Sequence, residues 1–137
     1  MDEKQKVVTV VNKKQLASVM NNTKWEQLQK CVIDTLPFTP PYQVKYVLED
    51  APYPETFIED VWYWGDWEQG LRPFYSIEWL RIRPRYVKSR GRLIEPERFD
   101  ITDEFIELLQ KLNIPFVKED SIICIYGYVK STETFNY

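Results

Sequence analysis

Carboxylates set among tryptophans are the residues here most able to do chemistry. Over positions 51–71 the chain carries five acids, Glu55, Glu59, Asp60, Asp66 and Glu68, and not one lysine or arginine. Inside that run lies Val61-Trp62-Tyr63-Trp64-Gly65-Asp66-Trp67, three tryptophans and a tyrosine around a Gly-Asp pair. Two acids beside an aromatic platform are what glycoside hydrolysis requires, one carboxyl held protonated and the other ionised. Asp60, Asp66 and Glu68 are the candidates, yet no spacing here enforces that geometry, and any acidic loop supplies carboxylates. The same rings can anchor a protein interface, where tryptophan is enriched at the positions that dominate affinity. They can also simply fill the core. Trp62 and Trp64 share a parity and are expected to be buried as a pair. Trp67, in a turn bounded by Gly65 and Gly70, is expected to be partly exposed.

The charge reverses just downstream, through Arg72, Arg81, Arg83, Arg85, Lys88, Arg90 and Arg92. Arg81, Arg83 and Arg85 alternate, so on a strand they would project as a row suited to a phosphate backbone. Trp79 and Tyr86 would add stacking. The competing expectation is a solvated face that balances the acidic segment, with Glu59 and Asp60 pairing with the arginines across strands. A net charge of −3 and a pI near 5.1 give no global attraction to nucleic acid or an anionic membrane.

Other chemistries find little support. There is no histidine, which removes the commonest proton shuttle and metal ligand. Cys31 and Cys124 form no C-x-x-C pair, and both are expected as small buried residues of a reducing compartment. No D-x-D-x-D-G calcium loop occurs, and none of the glycine-rich phosphate motifs is present. No cofactor or metal is expected.

The elements that must position these residues read as follows. Positions 7–11 fit a short strand or the start of a helix, and 13–20 have helical spacing through Leu16, Val19 and Met20. Thr23 and Glu26 form a capping box that opens a helix with the stripe Trp25, Leu28, Val32 and Leu36. Pro37 ends it. Strands are expected over 42–48, 57–64 and 74–83, the last with a bulge near Trp79 or burial on both faces. Positions 86–96 read as a basic loop containing Arg90 and Arg92. Thr102 caps a helix over 103–112, buried through Phe105, Leu108, Leu109 and Leu112. A hairpin of 116–118 and 121–129 turns at Glu119-Asp120, its second arm central in the sheet. The lead 1–6 and the tail 131–137 are expected to be loose. The apolar run at 7–11 is shorter than a signal-peptide core, and nothing approaches a membrane span.

The blocks Pro41-Tyr42-Gln43-Val44-Lys45-Tyr46, Val61 through Trp67, Tyr75-Ser76-Ile77-Glu78-Trp79 and Ile82-Arg83-Pro84-Arg85-Tyr86, with the ending Ile125-Tyr126-Gly127-Tyr128, carry a family resemblance. Together they resemble a family of small, single-domain bacterial proteins that share a domain of unknown function, over about residues 13–128. That resemblance implies no activity. In size, acidity and aromatic content the chain is also similar to bacterial immunity proteins, which neutralise the toxins of competing cells.

The expectation is therefore one α+β domain over 1–137, with an antiparallel sheet of about four or five strands and two or three helices on one face. In function it is expected to be a non-catalytic cytoplasmic binding protein, immunity-like, covering a protein partner through Trp62, Trp64, Asp66, Trp67 and Glu68. The alternatives are a carbohydrate- or small-molecule-binding protein, a carboxylate-based enzyme, or an RNA-binding role for the basic surface of Arg81, Arg83, Arg85, Arg90 and Arg92.

Overall fold

Alternation of apolar and polar residues builds the central sheet. The computed structural model describes residues 1–57 and 60–130. Helix α1 (Glu3–Lys13) leads through strand β1 (Ala17–Ser18) to α2 (Asn22–Thr35) and β2 (Tyr42–Tyr46). A long loop ends in a 3-10 turn (Phe74–Ser76), followed by β3 (Ile77–Ile82), β4 (Arg85–Lys88) and β5 (Glu97–Asp100). Then come α3 (Thr102–Lys111), β6 (Val117–Glu119), β7 (Ile122–Tyr126) and β8 (Tyr128–Val129). The main sheet has four strands in the order β2-β3-β7-β6, with every pairing antiparallel. Two small pairs, β1 with β8 and β4 with β5, flank it.

Residues opposite one another in an antiparallel pair share a face. Val44 lies opposite Leu80 and Leu80 opposite Ile125, while Ile82 lies opposite Ile123. These five form an apolar face with α2 (Trp25, Leu28, Val32) and α3 (Phe105, Leu108, Leu109) in the same buried cluster. The other face carries Gln43, Lys45, Trp79, Arg81, Cys124 and Tyr126. The parity switch in β3 is a bulge: Lys45 pairs with Trp79 but Tyr46 pairs with Ile77, leaving Glu78 as the extra residue. The fold is α+β, and β7 lies inside the sheet as its two apolar faces imply.

Several local expectations are corrected. Residues 1–6 are not a loose lead, because Asp2 caps α1. Its carboxylate accepts from the Gln5 amide at 2.8 Å, and the Gln5 side chain accepts from the Asp2 amide at 3.1 Å. This reciprocal box commits 7–11 to helix. Positions 13–20 break instead at Gln15 (φ 57°), and Ala17–Ser18 pair with β8. The cap of α2 is Asn21, accepting from the Lys24 amide at 2.8 Å, so Thr23 falls inside the helix. Asparagine is the stronger capping residue of the two.

No strand forms at 57 or 60–64, and Ile58 and Glu59 lie outside the described residues, as does the tail 131–137. Part of the basic loop is the β4–β5 hairpin. In α3 the helix begins at Thr102, whose amide and hydroxyl both donate to Asp100. Both cysteines are free thiols, half-buried rather than fully buried.

Candidate functional site: an acidic aromatic cleft

The tryptophans sort opposite to expectation. Trp67 is 1% exposed, whereas Trp62 is 81% and Trp64 54% exposed. Trp67 donates its indole N–H to the Pro40 carbonyl at 2.7 Å and sets its ring edge-on to Tyr42 and Phe105. Gln29 of α2 donates to the carbonyls of Trp67 and Glu68 at 2.7 and 3.1 Å, fastening the turn to the helix. A turn pinned on both sides in this way becomes part of the core. Without a strand at 60–64, parity has no sheet to refer to, and Trp62 and Trp64 stay at the surface.

Folding the turn inward opens a cleft of about 630 Å³ beside it. Tyr42 and Tyr46 of β2, Tyr53, Tyr63 and Trp64 wall it, with Glu49 and Asp66 among the lining residues. The β2 side of this frame is tied to the turn. Tyr42 donates its hydroxyl to the Asp66 carbonyl at 2.6 Å, and Tyr46 donates to the Gly70 carbonyl at 2.9 Å. Burial, and then the Asp66 charge, holds the Tyr42 phenol far above its ordinary range, and burial raises Tyr46. Both remain neutral donors to the turn.

The turn comes so close that a side chain would not fit. A Cβ on Gly65 would lie 2.3 Å from the Pro40 carbonyl oxygen, and one on Gly70 2.1 Å from the Tyr42 hydroxyl. The Tyr53 wall is held by a two-way backbone bridge to Val44, at 2.9 and 2.8 Å. Buried Gln43 adds a donation to the Pro54 carbonyl at 2.8 Å. Trp64 leans on Phe38 and Tyr86, which continue to Phe99, all with ring centroids 4.6–6.1 Å apart.

The arginine row is not a basic platform. Arg83 is 4% exposed, with its guanidinium over the Phe57 ring and its Nε 3.4 Å from the Ser121 hydroxyl. Arg81 donates to the Gln43 side chain at 3.2 Å and lies over Trp79. Arg85 and Arg98 both form ion pairs with the half-buried Asp60, at 2.5 and 2.7 Å. Arg90 donates to the Glu95 carbonyl at 3.0 Å, and Arg92 is exposed on the hairpin. Asp60 is thus drawn to the arginines, though from a loop rather than a partner strand.

Of the expected partner surface, Trp64 and Asp66 line the cleft and Trp62 projects beside it. Glu68 is exposed outside it, and Trp67 is core. The three carboxylates considered for catalysis are not brought together. Sequence reasoning missed Tyr42, Tyr46, Glu49 and Tyr53 as site residues. The signal for the first two was present, since tyrosines at alternate positions of a strand put hydroxyls on its core side, where they need a partner. Among the described residues no cluster of three or more histidine, cysteine or carboxylate side chains could hold a metal. No helix among them is long and apolar enough to cross a membrane.

Fold and cleft together define a small α+β protein with an acidic, aromatic-walled recess at the edge of its sheet. Its lineage is given by sequence: residues 7–132 match the model of a family of unknown function (DUF6678), and the chain belongs to that family. No curated protein and no solved structure matches it.

Proposed function

We propose that this is a non-catalytic, cytoplasmic binding protein. Its working surface is the cleft with Trp62 beside it, and its partner is a protein that presents basic residues there. The cleft carries the reading, because it joins exposed aromatic residues to two acidic ones, and among the described residues no lysine or arginine lines it. Exposed tryptophan and tyrosine on a rigid frame are the kind of anchor that dominates protein interfaces. An acidic rim speeds encounter with a basic partner and makes it sensitive to salt. The non-catalytic part is supported by Asp60, which is engaged by two arginines, and by Glu68, which lies off the cleft. An immunity role is the narrower form, in which the partner is a toxin. It rests on size, acidity and aromatic content.

A photo-crosslinking residue at Trp62, used in the native host, tests the reading. One dominant adduct with a basic protein is expected. It should weaken with added salt and be missing when the crosslinker sits at Lys111, at the end of α3. Adducts that are the same from both positions would remove the reading.

A further inference from the structure

We infer that the cleft is a receptor for an arginine side chain, with the guanidinium stacked on the aromatic walls and donating to the acidic lining. This rests on the binding reading above and names the group that enters the site. The lining is rich in acceptors. Tyr42 and Tyr46 already donate their hydroxyl hydrogens to backbone carbonyls, so toward a ligand their oxygens can only accept. Glu49 and Asp66 add carboxylates, that of Asp66 also accepting from the Gln69 amide at 3.1 Å, and among the described residues neither a cationic nor an amide side chain lines the recess. Such a site suits a ligand with many donors and no acceptor, and guanidinium has five N–H donors and none to accept.

The walls narrow the choice further. Trp64, Tyr53 and Tyr63 are exposed rings in the lining, and a planar, weakly hydrated cation stacks on aromatic rings while its edge donates to carboxylates. A lysine ammonium is a compact, strongly hydrated point charge that gains less from both. A sugar hydroxyl brings acceptors as well as donors, and the lining side chains have little to donate to it. The volume falls within the range of pockets that enclose a small ligand, which leaves space for the segment bearing the arginine.

Three capped peptides, Gly-Gly-X-Gly-Gly with X as arginine, lysine or citrulline, provide the test. Amide shifts of the purified protein are followed by NMR up to millimolar peptide. The arginine peptide should give saturable shifts confined to the cleft. Lysine should bind at least ~5-fold more weakly and citrulline at least ~10-fold, since citrulline keeps the shape and loses the charge. Asp66→Asn and Trp64→Ala should each weaken the arginine peptide at least ~5-fold, while Glu68→Gln, outside the cleft, should leave it unchanged. Equal binding of citrulline, equal binding of lysine, shifts elsewhere or no saturable shift would each overturn the inference. If arginine fails while the crosslink at Trp62 persists, the partner binds by other chemistry and only this inference falls. If both fail, the binding reading falls with it.

Discussion

Trp67 and Trp62 lie five positions apart, in one acidic run, and meet opposite fates. The first has its indole N–H satisfied, its ring packed edge-on and its backbone held by a helix. The second stands in solvent, its ring edge-on to Tyr63. Nothing about the side chain distinguishes them. What differs is which side chains the neighbouring layer covers: α2 and β2 clamp the turn at 65–70 around Trp67, whereas the β4–β5 pair meets 60–64 through Asp60, the Val61 carbonyl and one side of Trp64 and leaves Trp62 in solvent. Burial is a property of the layer that arrives, and residue type only sets how much is gained when it does.

The contrast can be broken by substitution. Trp67→Ala should cost about 3–5 kcal/mol, as removal of large buried aromatics does, and much of a small protein's stability with it. A thermal melt or denaturant titration measures this. A loss under ~1 kcal/mol would mean that the turn is not core. Next in size, Gly70→Ala forces a methyl onto the Tyr42 hydroxyl and the Asp66 carbonyl, 2.1 and 2.6 Å from the ideal Cβ position. Overpacking of this kind should cost about 2–3 kcal/mol. It should also displace Tyr42, so the cleft resonances should move together with the stability. The smallest effect belongs to Trp62→Ala, which should change stability by less than ~0.5 kcal/mol because an exposed ring has little packing to lose. A drop of several degrees in the melting temperature would show a buried contact for Trp62 and erase the comparison.

The same layer argument explains what could be read from the chain. The stripe of α2, its stop at Pro37, the alternation of β2, the bulge beside Trp79 and the apolar face of α3 were legible because each lies in the helix-on-sheet sandwich. There periodicity records the position of a neighbouring layer. The parity of Trp62 and Trp64 was read in the same way, and it failed because parity has meaning only when a strand forms. The start of α1 was missed although Asp2 and Gln5 have capping-box spacing; a carboxamide at the third position closes the box as a carboxylate does. The arginine row failed for another reason. Alternation predicted a shared face but not that Arg83 would be enclosed, nor that Pro84 would pass Arg85 to a different pair of strands. The cleft was least legible. Tyr46, Tyr53 and Trp64 come from three separate segments, and only tertiary contacts bring them around one space.

The bridge between Val44 and Tyr53 has a colloidal consequence. β2 is a terminal strand of the sheet, and a bare strand edge is a template on which a second chain can add itself. At the middle of β2 the outward amide and carbonyl of Val44 are already taken by Tyr53. The opposite margin is β6, only three residues long and carrying Lys118 at its centre. The loop that walls the recess therefore also shields the sheet from growing. A chain rich in exposed aromatic surface keeps that stickiness away from the strand margin where edge-to-edge stacking would begin.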